Sequence, residues 1–406
     1  MKKYKLEEVL SISSISVIPQ AGITYKLYSL PSFDDGQEPE TARGEAIQSN
    51  KYVVPTHCIL FNKLNVRFKR IWRIDNNTPN KLCSTEFLPL VINDDIIDYQ
   101  YCYYLLASDY LTNYLCGINS NTSGSHKRIN PDMLLSVDVV LPPLKEQKCI
   151  GSMLANLDRK IALNRALNHN LEAMAKQLYD YWFVQFDFPD ENGRPYKSSG
   201  GKMVWNATLK RDIPEGWDSG VFADIANITM GQSPDGTSYN EEGVGSIFYQ
   251  GSTDFGLRFP SVRMFTTSPS RFAKQGDILM SVRAPVGTVN IANTDCCIGR
   301  GLSAINPKIG SITYIYYVIH YLKVRFDNLN MAGTTFGSIT KEELFNLPVV
   351  VPSDNLIERF DSICRPIFDK QMEIGFEIEQ LTKLRDELLP LLMNGQVSVN
   401  YDLSHD

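Results

Sequence analysis

Two long stretches of the chain carry apolar residues three and four positions apart, the spacing of an amphipathic helix. The first has such positions at Ile150, Leu154, Leu157, Ile161, Leu167, Leu171, Met174, Leu178 and Tyr181, and the second at Ile357, Phe360, Ile363, Ile367, Ile374, Ile378, Leu381, Leu384, Leu388 and Leu391. A helix from Pro143 to Trp182 is roughly 60 Å long at 1.5 Å per residue. Because that is too long for one compact core, we expect the two helices to pack against each other.

Prolines and polar residues modify this picture at a few positions. Pro142 and Pro143 stand where a helix can begin. Pro366 lies inside the second stretch, so we expect that helix to kink or to start late. Asn164 and Gln371 fall on the apolar seam, where polar residues can fix the register of paired helices.

The segments that precede the two helices are related by a constant offset of 210 positions. The residues Ile129, Leu134, Val140 and Pro142 recur as Ile339, Leu344, Val350 and Pro352. A loop rich in Gly, Ser and Thr lies just upstream in each half, at Thr122–Ser125 and Gly333–Thr335. Such a repeat predicts a pseudo-dimer of two related globular units, each followed by a long helix.

Local patterns predict mixed helices and strands within each unit. Strands are expected at Val53–Phe61, Val66–Ile74, Val137–Leu141, Gly276–Ser281 and Cys296–Ile305, and matching helices at Tyr99–Leu115 and Ile312–Phe326. The stretch Phe186–Trp217 is rich in Pro, Gly, Ser and Asn, which indicates a connector. Its five aromatic residues suggest that the connector is held against a surface.

Composition narrows the class of protein. A chain of 406 residues with 21% charged and 11% aromatic residues fits two or three ordered domains. No apolar run approaches the length of a membrane span, and the residues after Met1 do not form an apolar leader, so we expect a cytoplasmic protein. The eight cysteines include no C-x-x-C pair, so they favour buried free thiols over a metal or redox site.

Catalytic motifs are lacking in the sequence. It has no Asn/Asp-Pro-Pro-aromatic motif of an adenine methyltransferase and no G-x-x-x-x-G-K-[ST] phosphate loop. Pro131-Asp132 followed by Glu146 and Lys148 resembles a nuclease pattern. The offset of 210 turns these residues into Lys341-Glu342, Leu356 and Glu358, so the repeat does not keep the pattern. We therefore predict no catalytic residue, no metal site and no cofactor.

Several local segments together resemble one family. They are L-P-P-L-K-E-Q (141–147), L-Y-D-Y-W-F (178–183), F-D-F-P-D-E-N-G-R-P-Y-K-S-S-G-G (186–201), T-M-G-Q-S-P-D-G-T-S-Y-N (229–240), G-D-I-L-M-S-V-R (276–283) and L-L-P-L-L-M-N-G (388–395). With the repeat, they make the chain similar along its whole length to the specificity (S) subunit of type I restriction–modification systems.

This resemblance implies an α+β fold with two pseudo-symmetric mixed α/β target recognition domains, separated by two long antiparallel coiled-coil helices. The expected parts are a first domain (1–142), a first spacer helix (143–184), a connector (185–217), a second domain (218–352), and a second spacer helix with a C-terminal tail (353–406). Each domain would recognise half of a bipartite DNA site and direct adenine methylation or cleavage by partner subunits. The implied partners are double-stranded DNA, two methyltransferase subunits and motor nuclease subunits.

The net charge of −6 does not by itself favour nucleic acid, but two windows of the sequence lack acidic residues, 46–74 and 255–276. DNA-binding candidates in the first half are Lys63, Arg67, Lys69, Arg70, Lys127 and Arg128, beside Ser125 and His126. In the second half they are Gln232, Ser233, Tyr249, Gln250, Arg258 and Arg283. In residues 61–71 basic and apolar residues alternate roughly as on a strand with one basic face. Cationic side chains would contact phosphates, and Arg, Asn or Gln would contact base edges.

Other interpretations remain open from the sequence. Any single basic residue can belong to an ordinary solvated face. The chain can also be the specificity half of a split single-protein restriction–methylation enzyme, or a coiled-coil scaffold for protein assembly with no DNA role. Salt-dependent DNA binding distinguishes the scaffold from the other two, because phosphate contacts weaken steeply as the salt concentration rises.

Overall fold

The computed structural model describes residues 1–118, 127–308, 311–331 and 337–397. The chain divides into two compact units. Unit 1 comprises Met1–Ala162 and Gln380–Asp406, and unit 2 comprises Leu163–Glu379. Each unit thus contains a globular part together with a segment of both long helices.

Unit 1 contains eleven strands among its described residues. They are β1 (Lys2–Lys5), β2 (Leu10–Ile12), β3 (Ser16–Val17), β4 (Thr24–Tyr28), β5 (Glu40–Arg43), β6 (Lys51–Val53), β7 (His57–Asn62), β8 (Ile71–Asp75), β9 (Lys81–Cys83), β10 (Phe87–Ile92) and β11 (Asp138–Leu141). Its helices are α1 (Leu6–Val9), α2 (Leu30–Asp34), α3 (Tyr99–Ala107), α4 (Asp109–Ile118), α5 (Pro131–Leu135) and the start of α6 (Leu144–Tyr179). A single π-helical turn, Asp180–Val184, extends α6.

Unit 2 begins with the hairpin β12 (Met203–Asn206) and β13 (Arg211–Pro214). Its further strands are β14 (Asp218–Val221), β15 (Ala226–Met230), β16 (Tyr239–Asn240), β17 (Ser246–Tyr249), β18 (Phe265–Thr266), β19 (Phe272–Ala273), β20 (Ile278–Ser281), β21 (Val289–Ile291), β22 (Cys296–Ile298), β23 (Leu302–Pro307) and β24 (Pro348–Val351). Its helices are α7 (Phe222–Ile225), α8 (Ile312–Met331), α9 (Lys341–Phe345) and most of α10 (Asp354–Met393).

The two globular parts share one backbone plan. A four-stranded antiparallel sheet has the order β2-β10-β7-β8 in unit 1 and β15-β23-β20-β21 in unit 2. A second sheet contains β6-β9-β4-β5 in unit 1 and β19-β22-β17-β18 in unit 2, with one parallel pair, β4–β9 or β17–β22. Only its fifth strand differs, since β3 lies beside β6 and β16 lies beside β18. The predicted internal repeat is therefore confirmed in strand order.

The long helices run antiparallel within each unit. In unit 2, Asn164 donates a 2.8 Å hydrogen bond to Glu377, and Gln371 donates one of 2.7 Å to Glu172. Residues later along α6 thus meet residues earlier along α10. Asn164 and Gln371 are both buried in this seam. In unit 1, Arg385 of α10 donates a 3.0 Å hydrogen bond to Asp158 of α6.

Apolar side chains of the long helices complete the core of each unit. In unit 1, Ile150 and Leu154 of α6 and Leu392 of α10 join the cluster formed by the four-stranded sheet and α3. In unit 2, Phe360 of α10 is fully buried and its ring lies 5.1 Å from that of Phe183. These helices are therefore part of the two cores, and their burial contributes to the stability of both units.

Some sequence predictions differ from the structure. Helix α10 begins at Asp354 and includes Pro366, so of the two expected effects of this proline the late start is wrong and the kink stays a prediction. The helix predicted at 99–115 is two helices, because Ser108 is extended (ψ 149°) between α3 and α4. The strand predicted at 53–61 is split around Pro55 into β6 and β7. No helix within the described part of the chain is long and apolar enough to cross a membrane.

Candidate nucleic-acid interface

A short backbone bridge occurs at the same place in both units. In unit 1, Leu64, just after β7, pairs antiparallel with Arg128, just before α5. In unit 2, Arg283, just after β20, pairs in the same way with Ser338, just before α9. Arg128 and Ser338 are 210 positions apart, so the bridge belongs to the repeat. Its main chain is common to the two units, whereas its side chains differ.

A tight turn lies against each bridge. In unit 1 the turn 84–86 joins β9 to β10, and the backbone N–H of Lys63 donates to the carbonyl of Glu86 at 2.9 Å. In unit 2 the turn 299–301 joins β22 to β23, and the N–H of Val282 donates to the carbonyl of Gly301, also at 2.9 Å. We call each bridge with its turn and adjoining loops the turn surface of that unit. The turn surface of unit 1 comprises residues 63–70, 84–86 and 127–128; that of unit 2 comprises residues 231–233, 250, 282–284, 299–301 and 337–338.

The basic residues predicted to line a strand in unit 1 lie on a loop. Strand β8 starts only at Ile71, so Lys63, Arg67, Lys69 and Arg70 belong to the connection between β7 and β8. Asn65 has a positive φ of 52°, which interrupts the strand conformation. The alternation of basic and apolar residues therefore does not form the basic strand face that the sequence suggested.

Two of these loop cations are paired with carboxylates. Arg70 donates two hydrogen bonds of 2.7 Å to Asp34, and hydrogen bonding to this guanidinium lowers the pKa of the Asp34 carboxyl. Lys69 forms an ion pair with Asp109. Arg67 is exposed, and its guanidinium lies 4.7 Å from the centre of the Phe68 ring. Of these three side chains, Arg67 is therefore the best placed to contact an anionic ligand.

Lys127 and Arg128 lie beside this loop through the bridge. The carbonyl of Lys127 accepts a 2.8 Å hydrogen bond from the N–H of Asn65. Arg128 is exposed and makes hydrogen bonds of 2.8–3.1 Å to both carboxylate oxygens of Glu86. Ser125 and His126 lie outside the described residues. The structure thus brings together the two groups of basic candidates that the sequence placed about 60 positions apart.

Gln232 and Ser233 belong to the turn surface of unit 2. The N–H of Gln232 donates to the carbonyl of Ile298 at 3.0 Å, and the hydroxyl of Ser233 accepts from the N–H of Arg300 at 3.3 Å. Gly231 makes this close approach possible, since a Cβ there would lie 2.2 Å from the carbonyl oxygen of Gly299. The loop that contains Gln232 and Ser233 is therefore held directly on the turn 299–301.

The other candidates in unit 2 divide into exposed and buried side chains. Gln250 and Arg283 are exposed on the turn surface. Tyr249 is fully buried, and its ring belongs to the cluster around Leu279 and Leu302. Arg258 is only 5% exposed. The structure places Tyr249 and Arg258 in the interior, so they are not part of the interface proposed below.

Arg258 has a structural role that the sequence did not indicate. It donates hydrogen bonds to Glu172 of α6 at 3.2 Å and to the hydroxyl of Tyr316 of α8 at 2.9 Å. Its guanidinium also lies 4.6 Å from the centre of the Phe368 ring of α10. Arg258 thus connects the loop before β18 to three helices of unit 2.

Arg300 was not among the residues predicted from the sequence, although the turn surface of unit 2 is built around it. Its side chain is exposed at the centre of the turn 299–301. The sequence contains one signal of an exposed cation at a tight turn, since Gly299-Arg300-Gly301 places a single arginine between two glycines and between two apolar strands. The described part of the chain holds no group of three or more His, Cys, Asp or Glu side chains that could hold a metal ion.

Comparison with known proteins identifies the family. The model of the type I restriction modification DNA specificity domain matches residues 1–173 and 214–375. The chain belongs to this family. The two matched segments contain most of the globular part of each unit and the larger part of α6, so the family model follows the internal repeat.

Individual relatives agree with this assignment. The specificity subunit of the type I restriction enzyme MjaX from Methanocaldococcus jannaschii is 33% identical over 285 residues, which is 67% of this chain and 62% of that protein. The match therefore spans less than two thirds of that relative. The specificity subunit of the type I restriction enzyme HindI from Haemophilus influenzae is 24% identical over 409 residues, covering 84% of this chain and 86% of that protein.

One solved structure supports the fold. The type I restriction–modification system S subunit from M. genitalium superimposes with a TM-score of 0.59 over 96% of this chain and 95% of that chain, at 16% sequence identity. At this identity the similarity concerns the fold alone.

Proposed function

We propose that this protein is the DNA-sequence recognition subunit of a type I restriction–modification complex, with each unit recognising one half of a bipartite site. The observation that carries the proposal is the repeated turn surface. The same bridge and turn occur in both units, but Arg128 and Glu86 of unit 1 correspond to Ser338 and Gly301 of unit 2. A shared backbone allows both units to dock on a duplex in the same way, and different side chains give them different targets.

The contacts with DNA are proposed to come from polar side chains of the two turn surfaces that are exposed or partly exposed. The exposed ones are Arg67 and Arg128 in unit 1 and Gln232, Gln250 and Arg283 in unit 2. Lys63, Lys127 and Ser233 are partly exposed, and Lys69 and Arg70 become available when their ion pairs open. Cationic groups would contact phosphates and set the orientation, while amides and guanidinium groups would contact base edges in the major groove.

The protein itself is proposed to be non-catalytic. Adenine methylation, or cleavage, would be performed by two methyltransferase subunits and by motor nuclease subunits that assemble with it. The pseudo-symmetry of the chain supports two copies of the methyltransferase, because a repeated surface offers one kind of partner two equivalent places to bind. The compartment expected for such a complex is the cytoplasm, where the chromosome of a bacterium or archaeon lies.

Methylome sequencing tests this function. Cells with the gene and its partner methyltransferase should show methylated adenine at one bipartite motif, and cells from which only this gene is deleted should lose that motif. An unchanged methylation pattern in cells with an active methyltransferase would contradict the proposal. In vitro, the affinity of the purified complex for DNA should fall steeply as salt rises; a salt-independent affinity would favour a protein scaffold instead.

A further inference from the structure

Arg300 stands at the centre of a turn that several backbone contacts fix in place. The N–H of Gly299 donates to the carbonyl of Tyr249 at 2.8 Å, and the N–H of Leu302 donates to the carbonyl of Gly299 at 3.0 Å. The N–H of Arg300 itself donates to the hydroxyl of Ser233. The main chain on both sides of Arg300 is thereby attached to two neighbouring segments of unit 2.

Close packing of the glycines adds to this constraint. A Cβ at Gly301 would lie 2.6 Å from the carbonyl oxygen of Gln250, which is closer than a carbon and an oxygen can approach. Tyr249, whose carbonyl holds Gly299, is itself fully buried. The base of the Arg300 side chain is therefore held by the core, and only the side chain beyond it is free to move.

The charge of Arg300 is available for a ligand. Among the described residues, which include every acidic residue of unit 2, none forms a salt bridge with Arg300. The neighbouring side chains of the turn surface, Gln232, Gln250 and Arg283, are exposed and none is anionic. The equivalent turn of unit 1 differs, since it has Thr85 at this position and its Glu86 is paired with Arg128.

We propose that Arg300 is a specificity-determining residue that recognises a guanine in the half-site bound by unit 2. This inference rests on the proposed function. Two N–H groups of a guanidinium match the O6 and N7 acceptors of guanine in the major groove, which is the commonest specific contact between an arginine and DNA. A contact of this kind needs a fixed direction, and the immobilised turn supplies it. A phosphate contact needs only a positive charge and would not require such a turn.

The experiment compares variants in the assembled complex with its methyltransferase. Arg300→Ala removes the contact, and Arg300→Lys keeps the charge but loses the planar pair of donors. Lys274→Ala is the control, because this cation of unit 2 precedes β20 and so lies at the end of that strand opposite to Arg283. Each complex is tested for methylation of the wild-type motif and of DNA in which each base pair of the two half-sites is changed in turn.

The expected result is a loss of discrimination at one G·C pair of one half-site. Both Arg300 variants should accept other bases there about tenfold more readily relative to guanine, and the other half-site should stay unchanged. The Lys274 variant should keep the whole motif. If Arg300→Ala weakens methylation equally for all sequences, Arg300 contacts phosphate and the inference is overturned; an unaltered motif overturns it as well. A wild-type complex that methylates no bipartite motif would overturn the proposed function itself.

Discussion

Arg128 and Glu86 form an ion pair that joins the segment before α5 to the turn between β9 and β10. The guanidinium makes three contacts of 2.8–3.1 Å with the two carboxylate oxygens. Hydrogen bonding to Arg128 lowers the pKa of Glu86, so the carboxylate is charged at neutral pH. Part of the positive charge on the turn surface of unit 1 is thus neutralised from within the protein.

Removing this negative charge should strengthen binding to DNA. Glu86→Gln removes one negative charge from the turn surface of unit 1 and, with it, the ion pair between Glu86 and Arg128. Non-specific affinity should rise, and the slope of log K against log salt should steepen by about one. Asp295→Asn is the control, because it also removes one negative charge that is paired with a cation, Lys274. Lys274 precedes β20 and so lies at the end of that strand opposite to the turn surface of unit 2. Equal effects of the two variants would show that the location of the charge is irrelevant and would contradict the interface.

The sequence was sufficient to predict the repeat and the paired helices. Both follow from positions that must be apolar, such as Leu134 and Leu344, which lie 210 positions apart and are fully buried in their respective units. Interruptions of single elements were harder to predict. Ser108 ends α3 with its hydroxyl bonded to the carbonyl of Leu105, while apolar residues continue on both sides of the break. The hydrophobic pattern therefore gives no sign of it.

The candidate site could be predicted only in part. Arg258 is typical of a DNA contact by residue type, but Glu172, Tyr316 and Phe368, which surround it, lie 58 or more positions away along the chain. Such burial depends on tertiary contacts that no local pattern contains. Arg300 was missed for the opposite reason, because its importance comes from the neighbouring segments that hold the turn.

Breaking the buried pair between Arg258 and Glu172 should destabilise unit 2. The Arg258 side chain is 4% exposed, so Glu172→Ala leaves a buried charge whose remaining hydrogen-bond partner among the described residues is the hydroxyl of Tyr316. The free energy of unfolding should fall by about 3 kcal/mol in urea denaturation. Glu373→Ala, which removes an exposed ion pair with Lys370 on α10, should change it by less than about 1 kcal/mol. A similar small loss for both variants would contradict the structural role of Arg258.

Truncating the Phe360 side chain of α10 should also destabilise unit 2. Phe360 is fully buried and lies against the rings of Tyr179, Trp182 and Phe183. Phe360→Ala should therefore lower the free energy of unfolding by about 4 kcal/mol through lost burial and the cavity that remains. Ile363→Ala lies on the same helix but is 47% exposed, so it should cost far less. Equal losses would mean that α10 does not pack through the face that contains Phe360.

The stability of unit 2 should fall in mildly acidic solution. Burial lowers the pKa of His320 below its ordinary value of 6.5. Glu172 opposes this shift, and Arg258, Lys176 and Lys323 reinforce it. At pH values between the lowered pKa of His320 in the folded protein and its ordinary pKa in the unfolded chain, the unfolded chain binds more protons. This contribution to stability is therefore complete above about pH 6.5 and decreases as the pH falls below that value. His320→Gln should remove this part of the pH dependence of the Tm, whereas His169→Gln, on an exposed position of α6, should not.

Exchange of one unit tests the central claim most directly. Residues 218–350 would be replaced by the corresponding segment of a relative that recognises a different motif, and the methylated motif of the complex would be sequenced. Two independent recognition units predict that one half-site changes to that of the relative while the other half-site is retained. A simultaneous change of both half-sites, in a complex that still methylates DNA, would contradict the account.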